Sequence, residues 1–193
     1  MGDQLSLPAN VRPMSRYAAF LRGMNVGGHR VTNDELRGLF AAMGFAEVGT
    51  FRASGNVVFA AVAGPLAEIQ ARIEAELERS LGYAVPTFLR AADEVRAIVA
   101  MRPFDPEAVA ASQGKLQVGL LAAPPARQAR AKVLALASDE DRLAFGEREL
   151  YWLPSGGMLE SELDLKAIDL LLGATTRRTM NTIEQLAGKH FAA

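Results

Sequence analysis

The apolar positions of this chain fall into short blocks that switch between two periods. Residues 16–22 (RYAAFLR) form a continuous apolar run closed by charge, the pattern of a strand covered on both faces. Residues 32–44 then change period. Thr32 and Glu35 are spaced as a capping box, Val31 and Leu36 as a hydrophobic staple, and Gly44 supplies the stop, so the spacing predicts a helix. Strand patterns at 48–52 and 57–61 flank Ala53-Ser54-Gly55-Asn56, a hairpin signal. Pro65 opens a second helix, with Leu66, Ile69, Ile73 and Leu77 on one face and Gly82 at its end. Residues 85–90 supply a fourth strand. The order is βαββαβ, the ferredoxin-like unit.

The second half repeats that order without obvious sequence identity. A linking helix at 92–101 and a proline-containing loop lead to a strand at 115–122 and a helix at 126–137. Strands at 142–145 and 149–153 follow, then a helix at 161–172 with Ser161 as its N-cap, Asp164 at its third position and Gly173 beyond its end. A short strand at 175–179 precedes a terminal helix from Asn181, which Glu184 would cap reciprocally. The expected fold is α+β: two ferredoxin-like (α/β plait) repeats with a C-terminal helix. The predicted organisation is a flexible tail at 1–15, a first repeat at 16–90, a linking helix and loop at 91–114, and a second repeat with the terminal helix at 115–193.

Composition narrows the chemistry. Over 193 residues, Lys+Arg is 21 against Asp+Glu 22, so the formal net charge of −1 argues against a general polyanion binder. The halves differ little: 9 basic and 8 acidic side chains in 1–90, 12 and 14 in 91–193. There is no cysteine, which removes disulfides, thiolate catalysis and Cys-based metal sites. His29 and His190 are the two histidines, too few for a multi-histidine metal centre. No metal and no cofactor is expected. The first fifteen residues lack a basic segment followed by an apolar one, and no run approaches the ~18 apolar residues of a membrane span, so a cytoplasmic protein is expected.

Three stretches carry candidate chemistry. Arg22-Gly23-Met24-Asn25-Val26-Gly27-Gly28 lies between a strand and a capped helix, where glycines let backbone N–H groups approach an anion. Asn25 stands where a dinucleotide fingerprint needs its second glycine, so that motif is excluded. The alternative is a loop whose glycines merely supply positive φ. Ser54-Gly55-Asn56 reads as a hairpin turn, yet topology adds to it. The first and second strands of a βαββαβ unit run parallel, so the loop after Arg22 and the turn after Arg52 must share one rim of the sheet. Thr175 to Thr182, with Arg177 and Arg178 beside a helix start, could hold a carboxylate or phosphate; a solvated edge strand is the simpler account.

RYAAFLRGMNVGG, RASGNVVF about thirty residues later, and LGATTRRTMNTIEQL together resemble the bacterial domain-of-unknown-function family 1697. The resemblance covers essentially everything after the tail and implies a duplicated ferredoxin-like fold with no established activity. It marks Arg22, Gly23, Asn25, Gly27 and Gly28, then Ser54, Gly55 and Asn56, then Thr176, Arg178, Asn181 and Thr182. Two departures stand out: Thr179 and Met180 replace the usual Asn and Trp, and Glu160 and Glu162 flank Ser161 where basic neighbours are usual.

A Ser54–His29 nucleophile lacks an acid to orient the imidazole, and the run Asp139-Glu140-Asp141 points in different directions, as a solvated turn does. Phe20, Phe51 and Phe59 are expected in the core rather than on an RNA-stacking face. The leading expectation is therefore a small polar or anionic ligand at the rim. Arg22 would supply charge, Asn25 and Asn56 would orient the ligand, the glycines (Gly23, Gly27, Gly28, Gly55) and Ser54 would admit it, and Arg178 and Asn181 would close the site. The alternative is a non-catalytic interaction module in which these motifs are structural; nucleic-acid binding is weaker still. The sequence names no reaction, no membrane contact and no self-association.

Overall fold

Two four-stranded antiparallel sheets face one another across a shared apolar layer. The computed structural model describes residues 13–24, 30–52 and 55–192. The first sheet holds β1 (Met14–Leu21), β2 (Ala46–Thr50), β3 (Asn56–Val62) and β4 (Thr87–Ala91) in the order β2-β3-β1-β4. The second holds β5 (Gln117–Leu121), β6 (Asp141–Phe145), β7 (Glu149–Pro154) and β8 (Thr175–Thr179) in the order β6-β7-β5-β8. Each unit is thus a ferredoxin-like plait with the same strand order, and the fold is α+β.

Helices cover the outer faces. α1 (Asn33–Ala42) and α2 (Leu66–Leu81) lie on the first sheet, α5 (Arg127–Leu134) and α6 (Leu165–Leu172) on the second. α3 (Ala92–Ala100) follows β4, α7 (Met180–His190) follows β8, and the two pack together. Along β1, Tyr17, Ala19 and Leu21 meet Phe40, Ile73 and Leu77 on the helical side. Ala18 and Phe20 turn the other way and join Val118, Leu120 and Tyr151 of the second sheet, with Val95 of α3 and Ile183 of α7. With both faces buried, a strand has no polar side to show, which is why β1 reads as an unbroken apolar run.

Local signals hold where they are chemically explicit. The Thr32 side chain accepts from the Glu35 N–H and the Glu35 carboxylate takes the Thr32 N–H at 2.7 Å, closing the capping box of α1. Gly44 and Gly82 adopt φ of +79° and +80° at the helix ends.

Elsewhere the boundaries move. β1 begins at Met14, and Met14 and Ser15, read as tail, pair with Val62 and Ala61. The proline-containing loop carries α4 (Pro106–Ala111), with Asp105 as its cap. Ser161 does not cap α6: Asp164 does, accepting from the Ala167 N–H, while the Ser161 hydroxyl donates to the buried Asp141 carboxylate at 2.8 Å. α7 starts one residue before Asn181, capped by Thr179 through the Thr182 N–H, so Thr182 takes the box position and Glu184 lies beyond it. Among the described residues no helix is long and apolar enough to cross a membrane.

Candidate functional site

β1 and β2 both run antiparallel to β3, so their C-terminal ends share one edge of the first sheet. The rim anticipated from topology forms there. The Leu21 N–H donates to the Gly55 carbonyl at 2.8 Å, and the Asn56 amide donates to the Phe51 carbonyl at 3.0 Å, closing the turn. Gly55 sits at φ +69°, and a Cβ there would stand 3.1 Å from both Leu21 Cβ and Met24 Cγ, so the turn can lie against the end of β1 only without a side chain. Gly23 also takes a positive φ, +74°. Asn25, Gly27, Gly28, His29 and Ser54 lie outside the described residues.

The second unit reaches this rim through Arg178. Its Nε donates to Asn56 Oδ1 at 2.6 Å and one Nη2 to the Leu21 carbonyl at 2.9 Å, with the Gly55 carbonyl at 3.5 Å. Nη1 donates to Thr176 Oγ1 and to the Arg177 carbonyl. The guanidinium also lies over the Phe20 ring, and burial pushes it down to about 10. Asn56, the first residue of β3, is buried.

The first unit returns the same contact at the opposite end of the interface. Arg90 is the fourth residue of β4, as Arg178 is of β8. Arg90 pairs across to Ala18 of β1, and Arg178 to Val118 of β5, in matching register. Arg90 Nε donates to Glu149 Oε1 at 2.8 Å, and Nη2 donates to the carbonyls of Leu121 at 3.0 Å and Arg148 at 2.8 Å. Glu149 begins β7 as Asn56 begins β3; Leu121 ends β5 as Leu21 ends β1; Arg148 precedes β7 as Gly55 precedes β3. Even the Nη1 bond to the preceding carbonyl, of Leu89 here and Arg177 there, is duplicated. The repeats are locked by two related arginine clasps.

The clasps differ in charge. Arg90 is fully buried; burial lowers its proton affinity, and the Glu149 carboxylate opposes that. A second arginine of the same turn, Arg148, pairs with Glu94 on α3. In the other clasp the corresponding turn sends Arg52 to the side-chain carbonyl of Gln185 on α7, at 2.8 Å. Two arginines thus meet two carboxylates at one end, and two arginines meet two amides at the other. A hollow of about 180 Å³ adjoins the acidic clasp, lined by Glu94, Arg148 and Glu149. A hollow of about 690 Å³ adjoins the amide clasp, with Arg52 and Asn181 in its wall.

The remaining expected residues scatter around this junction. Arg22 approaches Asp169 of α6 at 3.5 Å, with both side chains about 40% exposed, so part of its charge is already met across the interface. Thr176 supports Arg178 directly. Asn181 accepts from Gln185 and is brought beside Arg52 rather than onto Asn56. The Arg177 side chain lies over Trp152, and only its backbone carbonyl belongs to the clasp. Phe20 and Phe59 are buried and Phe51 packs against the core. Sequence reasoning missed Arg90, Glu149, Arg148 and Glu94; the signal was an arginine at the fourth position of each fourth strand. Another hollow, of about 700 Å³, lies on the second unit around Asp141, whose oxygens are taken by Trp152 and Ser161. Among the described residues no group of three metal-ligating side chains converges.

A family model described as a protein of unknown function, DUF1697, matches residues 14–151. The structure is similar to that of conserved bacterial protein SP0830 from Streptococcus pneumoniae: TM-score 0.71, 22% identity, 91% of this chain and 98% of that one covered. At that identity the likeness speaks for the fold alone. No curated protein matches.

Proposed function

This chain belongs to the DUF1697 family, proteins of unknown function, and we propose that it binds a small anion in the cytoplasm at the amide clasp, the rim where the first repeat's Gly/Asn-rich turns meet the second repeat. One observation carries the reading. The two clasps are built alike, yet Glu149 and Glu94 of one are answered by Asn56 and Gln185 of the other. A carboxylate or phosphate supplies the negative charge that this end of the interface does not draw from those positions. Arg52 makes the direct contact, Asn181 orients the anion beside it, and Arg178, fixed behind Asn56, contributes field rather than a free donor. Arg22, Gly23 and Gly55 complete the rim. The reading is of binding and names no reaction.

A second reading keeps the notable motifs wholly structural, as parts of an interaction module. It is favoured by the bonds from Arg178 to Leu21, Gly55 and Asn56, all of which cross between the repeats.

Calorimetric titration with inorganic phosphate and with acetate separates them. The anion reading expects saturable binding that weakens at least tenfold in Arg52→Gln and in Gln185→Glu, both exposed positions whose change leaves the fold intact. Absence of binding in the folded wild-type protein, or binding indifferent to both substitutions, overturns it and leaves the structural reading.

A further inference from the structure

The hollow beside the amide clasp has two kinds of wall. Leu116 and Met180, both buried, form an apolar floor, and Phe104, between α3 and α4, and Val109 of α4, both partly buried, rise beside it. Arg52, Arg102 and Lys115 stand at the margin, with Glu184 the one acid among the described lining residues. Lys115 is paired with no carboxylate among the described residues. A volume of about 690 Å³ falls within the range of small-molecule sites, roughly 300–1,000 Å³, and far exceeds what a lone inorganic anion fills.

Backbone conformation singles out the same place. Three non-glycine residues among those described take positive φ: Glu47, Arg52 at +57° and Lys115 at +61°. Two of the three are basic residues of this one wall. A left-handed backbone at a long side chain is uncommon, persists where surrounding structure holds it, and clusters at active sites and ligand clamps.

Resting on the anion reading above, the geometry points to the ligand's chemical class: an amphipathic organic anion, its carboxylate or phosphate head at Arg52 and Lys115 and its apolar body against Phe104, Val109 and Met180. The clasp accounts for the charge, and the apolar floor accounts for the room beyond it. Polar sugars or inorganic phosphate alone would leave the partly buried Phe104 and Val109 facing water.

A homologous series tests the body separately from the head. Inorganic phosphate, methyl, butyl and hexyl phosphate are titrated into the wild-type protein and into Ala110→Phe, which fills the hollow from an exposed position of α4. Val109→Gln is the second variant, and the unfolding transition of each is checked against wild type. Affinity is expected to rise by about fourfold per methylene while the chain remains inside. Both variants should abolish that gain and leave inorganic phosphate binding within about twofold. Phosphate binding that depends on Arg52 but gains nothing from chain length overturns this inference and leaves the anion reading standing. Failure of every member to bind overturns both. Hexyl phosphate bound equally well by Arg52→Gln removes the head from Arg52 and overturns both as well.

Discussion

Asn56 and Glu149 occupy the same place in the two repeats: each opens the third strand of its unit, and each accepts a hydrogen bond from the Nε of an arginine at the fourth position of the other unit's fourth strand. The acidic version carries a fully buried guanidinium, so its carboxylate is part of what keeps that charge inside. Glu149→Gln is expected to cost about 3–5 kcal/mol, the range for breaking a buried pair by removing one partner. Replacing both residues, as Arg90→Met with Glu149→Leu, should recover most of the loss. Denaturant unfolding measures both; a single-variant loss below ~1 kcal/mol would sink the account.

The amide clasp should respond differently. Arg178 bonds to an amide oxygen and to backbone carbonyls, so Arg178→Met strands acceptors rather than an opposite charge. The expected cost is about 1–3 kcal/mol. Arg178→Lys should recover little, because an ammonium cannot span Asn56, Leu21 and Thr176 with a planar fork. A double-mutant cycle with Asn56→Ala should give a coupling above ~0.5 kcal/mol; zero coupling would mean the contact carries no energy.

Gly55 carries the rim. At φ +69°, with 3.1 Å to Leu21 Cβ and to Met24 Cγ, alanine is both strained and crowded. Gly55→Ala is expected to destabilise by roughly 1–3 kcal/mol. Gly23→Ala, at φ +74° with no described residue within 4 Å of its Cβ, carries the conformational cost alone and should lose less. Thermal unfolding of the two variants side by side tests this ordering, and equal losses would refute the crowding.

These contacts mark how far sequence reasoning carries. The order of elements along the chain followed from period and caps, because Thr32, Glu35, Gly44 and Gly82 act within one turn of themselves. Adjacency of the two turns followed too, since parallel β1 and β2 must end on one edge. The pairing of Arg178 with Asn56 crosses 122 residues and depends on how two sheets face, which no local pattern encodes. Thr87–Ala91 and Thr175–Thr179 share only the opening threonine and that arginine, so their equivalence emerges from the matched registers with β1 and β5. Ser161 failed as a cap for the same reason: a tertiary partner, Asp141, competes for its hydroxyl.

His190 provides a pH signature free of the clasps. Its Nε2 is buried with no hydrogen-bond partner among the described residues, its ring meets Phe51 edge-on, and Cε1 would lie 3.6 Å from a Cβ placed on Gly49. Burial first, then the positive charges of Lys189 and Arg16, hold its proton affinity below the usual histidine value. The unfolded chain therefore binds a proton more readily than the folded one. Stability contributed by neutral His190 is present above the unfolded value near 6.5 and is lost as the pH falls from there through the lower folded value. Glu35, whose carboxyl is held below its usual range by the Thr32 bonds, adds its own loss only at lower pH. Between pH 7 and 5 the unfolding midpoint should fall in the wild-type protein, and His190→Phe should flatten that fall while keeping the packing against Phe51. An unchanged slope in a folded variant would assign the titration to another group.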